Sequence, residues 1–131
     1  LVTASEPEET VRGRWGHLLA DIPPGDNYLF YTAERGHPDP VFEWRSRYWS
    51  FLLKLSPDRP SPTIQAQPGP NVGPFHWENR RLRVPELRRL FTFPDDFTFA
   101  GRRSSVQAQV GNSVPPLLAR RVVDCVAQAI R

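Results

Sequence analysis

The sequence predicts an α+β fold: a small mixed lobe with short strands, long Pro/Gly-rich loops and about three helices. Three observations predict it. The chain has 131 residues, the size of one domain. Its 15 prolines and 8 glycines shape loops rather than a compact bundle. The C-terminal segment carries apolar residues at helical spacing. A hydrophobic content of 39% is enough for a core at this size. No internal repeat occurs, and no run of about 18 apolar residues is present to span a membrane.

Residues 1–17 open as LVTASEPEET, polar and acidic, and are expected to be a loose N-terminal segment. They lack the basic-then-apolar order of a secretory signal. A chain that starts at Leu1 and holds no methionine reads as processed, or as a piece of something longer. The stretch WGHLLADIPPGDN predicts a short helical turn stopped by Pro23, Pro24 and Gly25. Asn27 to Thr32, NYLFYT, is aromatic and predicts extended backbone. ERGHPDP is loop. Val41 to Leu55 is the most aromatic segment; its pattern permits a strand, or equally a buried helix.

The prolines of SPDRPSPTIQAQPGPNVGPFHW exclude a helix, and Thr63 to Gln67 has strand character. Val84-Pro85-Glu86 opens a helix, with proline in the first turn and a carboxylate near the positive end. Leu87, Leu90 and Phe91 form its apolar stripe, and Pro94 stops it. SSVQAQV predicts another short helix capped by Ser104 or Ser105. Pro115 to Arg131 is the clearest helix, with Leu118, Val122, Val126 and Ile130 four residues apart.

Net charge is +3 and the pI about 9.6, with Lys54 the single lysine. An arginine-rich balance suits nucleic acid, since the guanidinium forks onto phosphate and guanine edges, but codon bias explains it equally. Cys125 is the sole cysteine, so neither an internal disulfide nor a cysteine-rich zinc site can form. His17, His37 and His76 are far apart in sequence, so no metal site is expected.

Near the C-terminus GNSVPP runs into the last helix. Gly111 is expected to adopt backbone angles closed to other residues, with Asn112 tolerating them. Ser113 or Val114 would cap the helix, leaving a cradle of N–H donors suited to a carboxylate or phosphate. On the triplet alone, an ordinary capped helix start explains it better.

Three blocks in order widen that choice. Arg81, Leu82, Glu86, Arg89, Leu90, Phe93, Pro94, Asp95 and Phe97 form one phrase; Gln109 and Gly111 to Pro115 form a second. Upstream lies DRPSPTI, Asp58 to Ile64, and before it DIPPGDN. Over roughly residues 18–131 the chain resembles the closing part of the DNA (cytosine-5) methyltransferases, whose blocks are P-S-x-T-I/L, R-x-L-x-x-x-E-x-x-R-L-x-x-F-P-D and Q-x-G-N-S/A-V-P. The resemblance implies a target-recognition region at 18–80 and a C-terminal helical segment at 81–131. Together they would complete an α/β, parallel-sheet methyltransferase domain that is not within this sequence.

The family's chemistry is methyl transfer from S-adenosylmethionine to C5 of a flipped cytosine. A cysteine thiolate in a Pro-Cys-Gln loop attacks C6, a glutamate in Glu-Asn-Val assists, and a Gly-rich turn holds the cofactor. None of these blocks occurs here. Cys125 follows Asp124 inside the last helix and reads as a small core residue. Glu78-Asn79 precedes Arg80, not valine. The resemblance therefore implies a truncated piece, or the small subunit of a split enzyme, with no catalytic residue of its own and no methyl transfer when alone.

By the same resemblance Asn112, Ser113 and Val114 line the methionine end of the S-adenosylmethionine pocket, and the last helix packs on the catalytic part. Arg45, Arg47, Gln65, Gln67, Asn71 and Arg80 are the DNA candidates, since Arg and Gln make bidentate contacts to guanine and adenine. On a strand Arg45 and Arg47 would share a face. Trp15, Trp44, Trp49 and Trp77 are commonly core rings; Trp77, in a Pro/Gly loop, is the best exception. Implied partners are double-stranded DNA and the catalytic part; implied context is bacterial restriction-modification in the cytoplasm, at the nucleoid. Two other functions fit the residues: a non-catalytic DNA-binding remnant or regulator, and a protein-interaction module using Pro-rich loops and aromatics.

Overall fold

A computed structural model describes residues 8–45 and 47–131. Residues 1–7 of the expected loose segment lie outside the described residues. Within residues 8–17, Glu9 is buried, Thr10 bridges Arg80, and the Arg81 N–H donates to the Glu9 carbonyl at 2.7 Å. The chain divides into two compact units: Leu1–Ile64 with Pro68–Leu82, and Gln65–Gln67 with Arg83–Arg131.

The first unit is built on Leu19, Ile22, Tyr28, Tyr31, Leu52 and Phe75, all buried. Phe42 and Phe51 meet edge to face at 5.4 Å, and Trp15 meets Phe42 at 5.1 Å, the geometry that ring quadrupoles favour. Three short 3-10 turns carry the chain: Gly16–Asp21, Tyr28–Tyr31 and Ala33–Arg35. The second corrects the extended reading of NYLFYT. The Asn27 side-chain oxygen accepts the Leu29 N–H at 3.0 Å and starts a tight turn. Residues three apart then share a face, so Tyr28 and Tyr31 both enter the core.

Among its described residues Val41 to Leu55 forms neither strand nor helix: turns and irregular backbone carry isolated bridges at Phe42, Phe51 and Lys54. Leu52 is fully buried with φ of 52°, a strained backbone for a side chain of its size. Its N–H donates to the Asn71 carbonyl at 2.9 Å. Lys54 is buried, its Nζ donating to the Ile22 carbonyl. Desolvation holds its ammonium below the ordinary lysine range, and the charge of Asp21 opposes that shift. The Tyr31 hydroxyl donates to the Leu18 carbonyl at 2.7 Å and approaches Asp21 at 3.3 Å. Burial, then the neighbouring Asp21 charge, pushes its pKa up to about 12.

The expected short strands are reduced, among the described residues, to four isolated bridges: Thr10–Arg80, Thr32–Phe42, Phe51–Val72 and Lys54–Phe75. Thr63 to Gln67 form no ladder. Pro60, Pro62 and Pro68 around them lack the N–H that a ladder needs.

The second unit holds the three α-helices the sequence predicts. Helix α1, Val84–Leu90, starts where the Glu86 carboxylate accepts the Arg83 N–H at 2.7 Å, and it buries Leu87. Helix α2, Arg103–Gly111, buries Val106 and Val110, one turn apart. Arg102 stands at its cap; Ser104 and Ser105 lie inside the first turn. Helices α1 and α2 pack on each other. Helix α3, Pro116–Ala129, packs on neither and buries no residue. No described helix is long and apolar enough to cross a membrane.

Candidate functional site

The turn between α2 and α3 is at the surface: Asn112 and Val114 are exposed and Ser113 half-buried. Gly111 is not in the left-handed region, and Asn112 sits at φ −88°, so backbone freedom is not why glycine stands here. The reason is close approach. A Cβ on Gly111 would lie 2.5 Å from both Cα and N of Ala66, so only glycine lets the end of α2 press on the 65–67 segment. The Gln107 side chain strengthens the same contact, its Nε2 donating to the Gln65 carbonyl at 3.0 Å while its Oε1 accepts from Arg103 at 2.8 Å.

The expected cradle of backbone donors is not what forms. The Asn112 N–H donates to Ala108 and the Ser113 N–H to Val110, closing α2. The Ser113 hydroxyl donates to the Val110 carbonyl at 2.6 Å. Pro115, not Ser113 or Val114, is the cap residue of α3, and Pro115 and Pro116 carry no N–H. The Leu117 N–H donates to Thr92 Oγ1 at 3.1 Å. What the turn presents outward is side-chain chemistry: the Asn112 amide and the Val114 isopropyl.

Thr92 was not singled out by its sequence. It has φ of 60°, costly for a β-branched residue, at the exit of α1. There its hydroxyl takes the first N–H of α3, tying the F-P-D phrase to the G-N-S-V-P turn. Beside it Arg89 grips Asp95 with Nε at 3.1 Å and a second nitrogen at 3.3 Å. That fork holds the Asp95 carboxyl below, and the Arg89 guanidinium above, its ordinary range.

Among the DNA candidates, Arg45, Arg47, Gln65 and Gln67 are exposed. The Tyr28 hydroxyl pins the Arg45 backbone, donating to its carbonyl at 2.6 Å and accepting its N–H at 2.8 Å. Asn71 is 6% exposed; its Oδ1 accepts from Trp15 N and its Nδ2 donates to the Arg12 carbonyl. Arg80 is 9% exposed, held by Glu78 at 3.0 Å and by the Arg81 carbonyl. Both are braces of the first unit rather than presented side chains. Trp15 packs at the core, while Trp44, Trp49 and Trp77 are exposed. Cys125, expected in a core, is exposed on α3. Among the described residues, no group of three His, Cys, Asp or Glu could hold a metal ion.

The profile of the C-5 cytosine-specific DNA methylases matches residues 12–128. The chain belongs to that family. M.SacI, a type II methyltransferase of Streptomyces achromogenes, is 53% identical over 128 residues, 90% of this chain and 33% of M.SacI. The DNA (cytosine-5-)-methyltransferase M.ApeKI of Aeropyrum pernix is 34% identical over 112 residues, 83% of this chain and 23% of its own. The type II methyltransferase M.AquIB of Picosynechococcus is 36% identical over 100 residues, 67% of this chain and 70% of M.AquIB. This C-5 cytosine-specific DNA methylase chain thus spans a third or less of the first two relatives. No solved structure matches it.

Proposed function

We propose that this chain supplies DNA target recognition and one wall of the S-adenosylmethionine pocket of a cytosine-5 DNA methyltransferase whose reactive thiol lies outside these residues. The observation that carries the reading is α3. Leu117, Leu118, Val122, Val123, Val126 and the following Ile130 are 54% to 80% exposed, on a helix that buries nothing. An apolar face of this extent asks for a cover, since each Å² hidden from water stabilises by roughly 25 cal/mol. The two thirds of M.SacI beyond the match leave ample chain for that cover. M.AquIB, of which the match is 70%, shows that a chain little longer than the match can carry a type II methyltransferase name, as a separate subunit would.

S-adenosylmethionine, when bound, supplies the methyl group. Toward it this chain offers the exposed Asn112 amide as a donor to a carboxylate, Val114 as an apolar contact, and the remaining lone pairs of Ser113. The backbone N–H groups engaged within the turn are no part of that site. Toward DNA, Arg45 and Arg47 in the first unit and Gln65 and Gln67 in the second are the side chains free to contact phosphate or base edges. No residue of this chain performs the bond-making step. Action on duplex DNA fits a bacterial cytoplasm and nucleoid, within restriction-modification.

Two measurements test the reading. Duplex binding by the chain should weaken steeply with salt, and Arg45→Ala with Arg47→Ala should flatten the slope by about two. Photo-crosslinking of labelled S-adenosylmethionine to Asn112–Val114 should require the catalytic part of the enzyme. Absence of salt-dependent DNA binding would reject the recognition half; crosslinking elsewhere in the chain would reject the pocket half.

A further inference from the structure

Arg103, Gln107 and Gly111 stand four residues apart on α2 and so share one face of the helix. That face meets the 65–67 segment. Gly111 presses on the Ala66 backbone, and Gln107, 7% exposed, reaches the Gln65 carbonyl at 3.0 Å. Chemistry fixes the orientation of the Gln107 amide. A guanidinium only donates, so the amide oxygen must face Arg103, at 2.8 Å, and the amide nitrogen must face the carbonyl. Burying an amide on a short helix is costly unless both of its ends are satisfied, and here both are. Gln109, within the closing block, turns elsewhere, its Nε2 donating to the Ala100 carbonyl at 2.8 Å. What the Gln107 grip holds is the root of two DNA candidates. Ala66 is half-buried, while Gln65 and Gln67 on either side of it are exposed. The segment sits in no ladder, and Pro68 after it carries no N–H, so strand pairing does not fix its backbone. The Gln107 amide takes the place of a ladder partner.

We infer that Gln107 is a positioning residue for DNA recognition, holding the backbone from which Gln65 and Gln67 reach base edges. The inference rests on the DNA-recognition reading and deepens it. A glutamine reads adenine with both amide atoms at once, which needs the side chain placed from a fixed root. A root that is already ordered loses less freedom on binding. Because Gln107 is uncharged and buried, its contribution falls on discrimination between sequences and not on attraction to phosphate. Leucine at this position fills the volume but offers the Gln65 carbonyl no donor. Glutamate keeps an oxygen for Arg103 and likewise loses the donor.

The test uses the 131-residue chain and a pool of short duplexes of randomised sequence, from which the native chain selects the one it binds best. Gln107→Leu should weaken binding to the selected duplex about fivefold and to a scrambled duplex by less than about twofold, with the salt slope unchanged. In a chain already carrying Gln65→Ala and Gln67→Ala, adding Gln107→Leu should change affinity by less than about twofold, because the side chains it positions are gone. Its cost in a thermal melt should persist in both backgrounds, which separates positioning from folding. Gln107→Glu supplies the same DNA readout if the leucine variant melts below the assay temperature. A Gln107→Leu chain that discriminates as the native chain does overturns the inference and leaves DNA recognition standing. So does a loss of affinity that survives when Gln65 and Gln67 are alanine. Absence of duplex binding, or of any sequence preference, in the native chain overturns the recognition reading beneath it.

Discussion

Thr92 sits at φ of 60° and gives its hydroxyl oxygen to the first N–H of α3. Two effects oppose each other there. A left-handed backbone costs a non-glycine residue about 1–2 kcal/mol, and a net hydrogen bond returns about 1 kcal/mol. Thr92→Val keeps the strain and loses the bond, so it should destabilise by about 1 kcal/mol or more. Thr92→Gly loses both and should be near neutral in stability. In both, the Leu117 amide should exchange with solvent faster; unchanged exchange would show that the bond does not hold the turn. Gly111→Ala acts by another route: a methyl 2.5 Å from the Ala66 backbone forces α2 off the 65–67 segment, a loss of about 1–3 kcal/mol read by denaturant unfolding. Tyr31 gives a pH signature. Its folded pKa, about 12, lies above the ordinary 10.0, so its contribution is complete below pH 10 and fades as pH rises toward 12. Tyr31→Phe should remove that alkaline component of the stability profile; a profile unchanged by the substitution would contradict the assignment.

At the scale of elements, helices were legible where local chemistry decides them. Pro85 and Glu86 announced α1, and the four-residue repeat from Leu118 to Ile130 announced α3. Segments decided by tertiary contacts were not legible. Val41 to Leu55 follows neither period because its backbone pairs piecemeal with Asp26, Asn71 and Phe75. NYLFYT turned because of the Asn27 cap, a signal that stands in the sequence immediately before the aromatic run. Of the expected DNA candidates, Arg45, Arg47, Gln65 and Gln67 are exposed, whereas nothing local revealed that Asn71 holds the backbone of Arg12 and Trp15, far away in sequence, or that Arg80 is buried. Helix α3 yields the sharpest prediction at this scale. Val122→Asp and Val126→Asp lie on an exposed face, so the chain's own stability should shift by no more than about 0.5 kcal/mol. Yet either should abolish assembly with the catalytic part. A melting point strongly lowered in the isolated chain would mean that α3 already has a cover.

For the whole molecule, the division of labour follows from what the residues can and cannot do. The chain presents arginines, exposed rings and a surface turn, but its single thiol rides on a helix face, away from the G-N-S-V-P turn in sequence. On the proposed division, a chain that supplies recognition and one pocket wall should be inert until its uncovered helix is docked. Methyl transfer is the direct measurement: tritium from labelled S-adenosylmethionine into duplex DNA, with this chain, with the catalytic part, and with both. The account predicts label in DNA only from the mixture, and none from the mixture when Val122→Asp replaces the native chain. Label incorporated by this chain alone, or by the catalytic part equally well without it, would contradict the account.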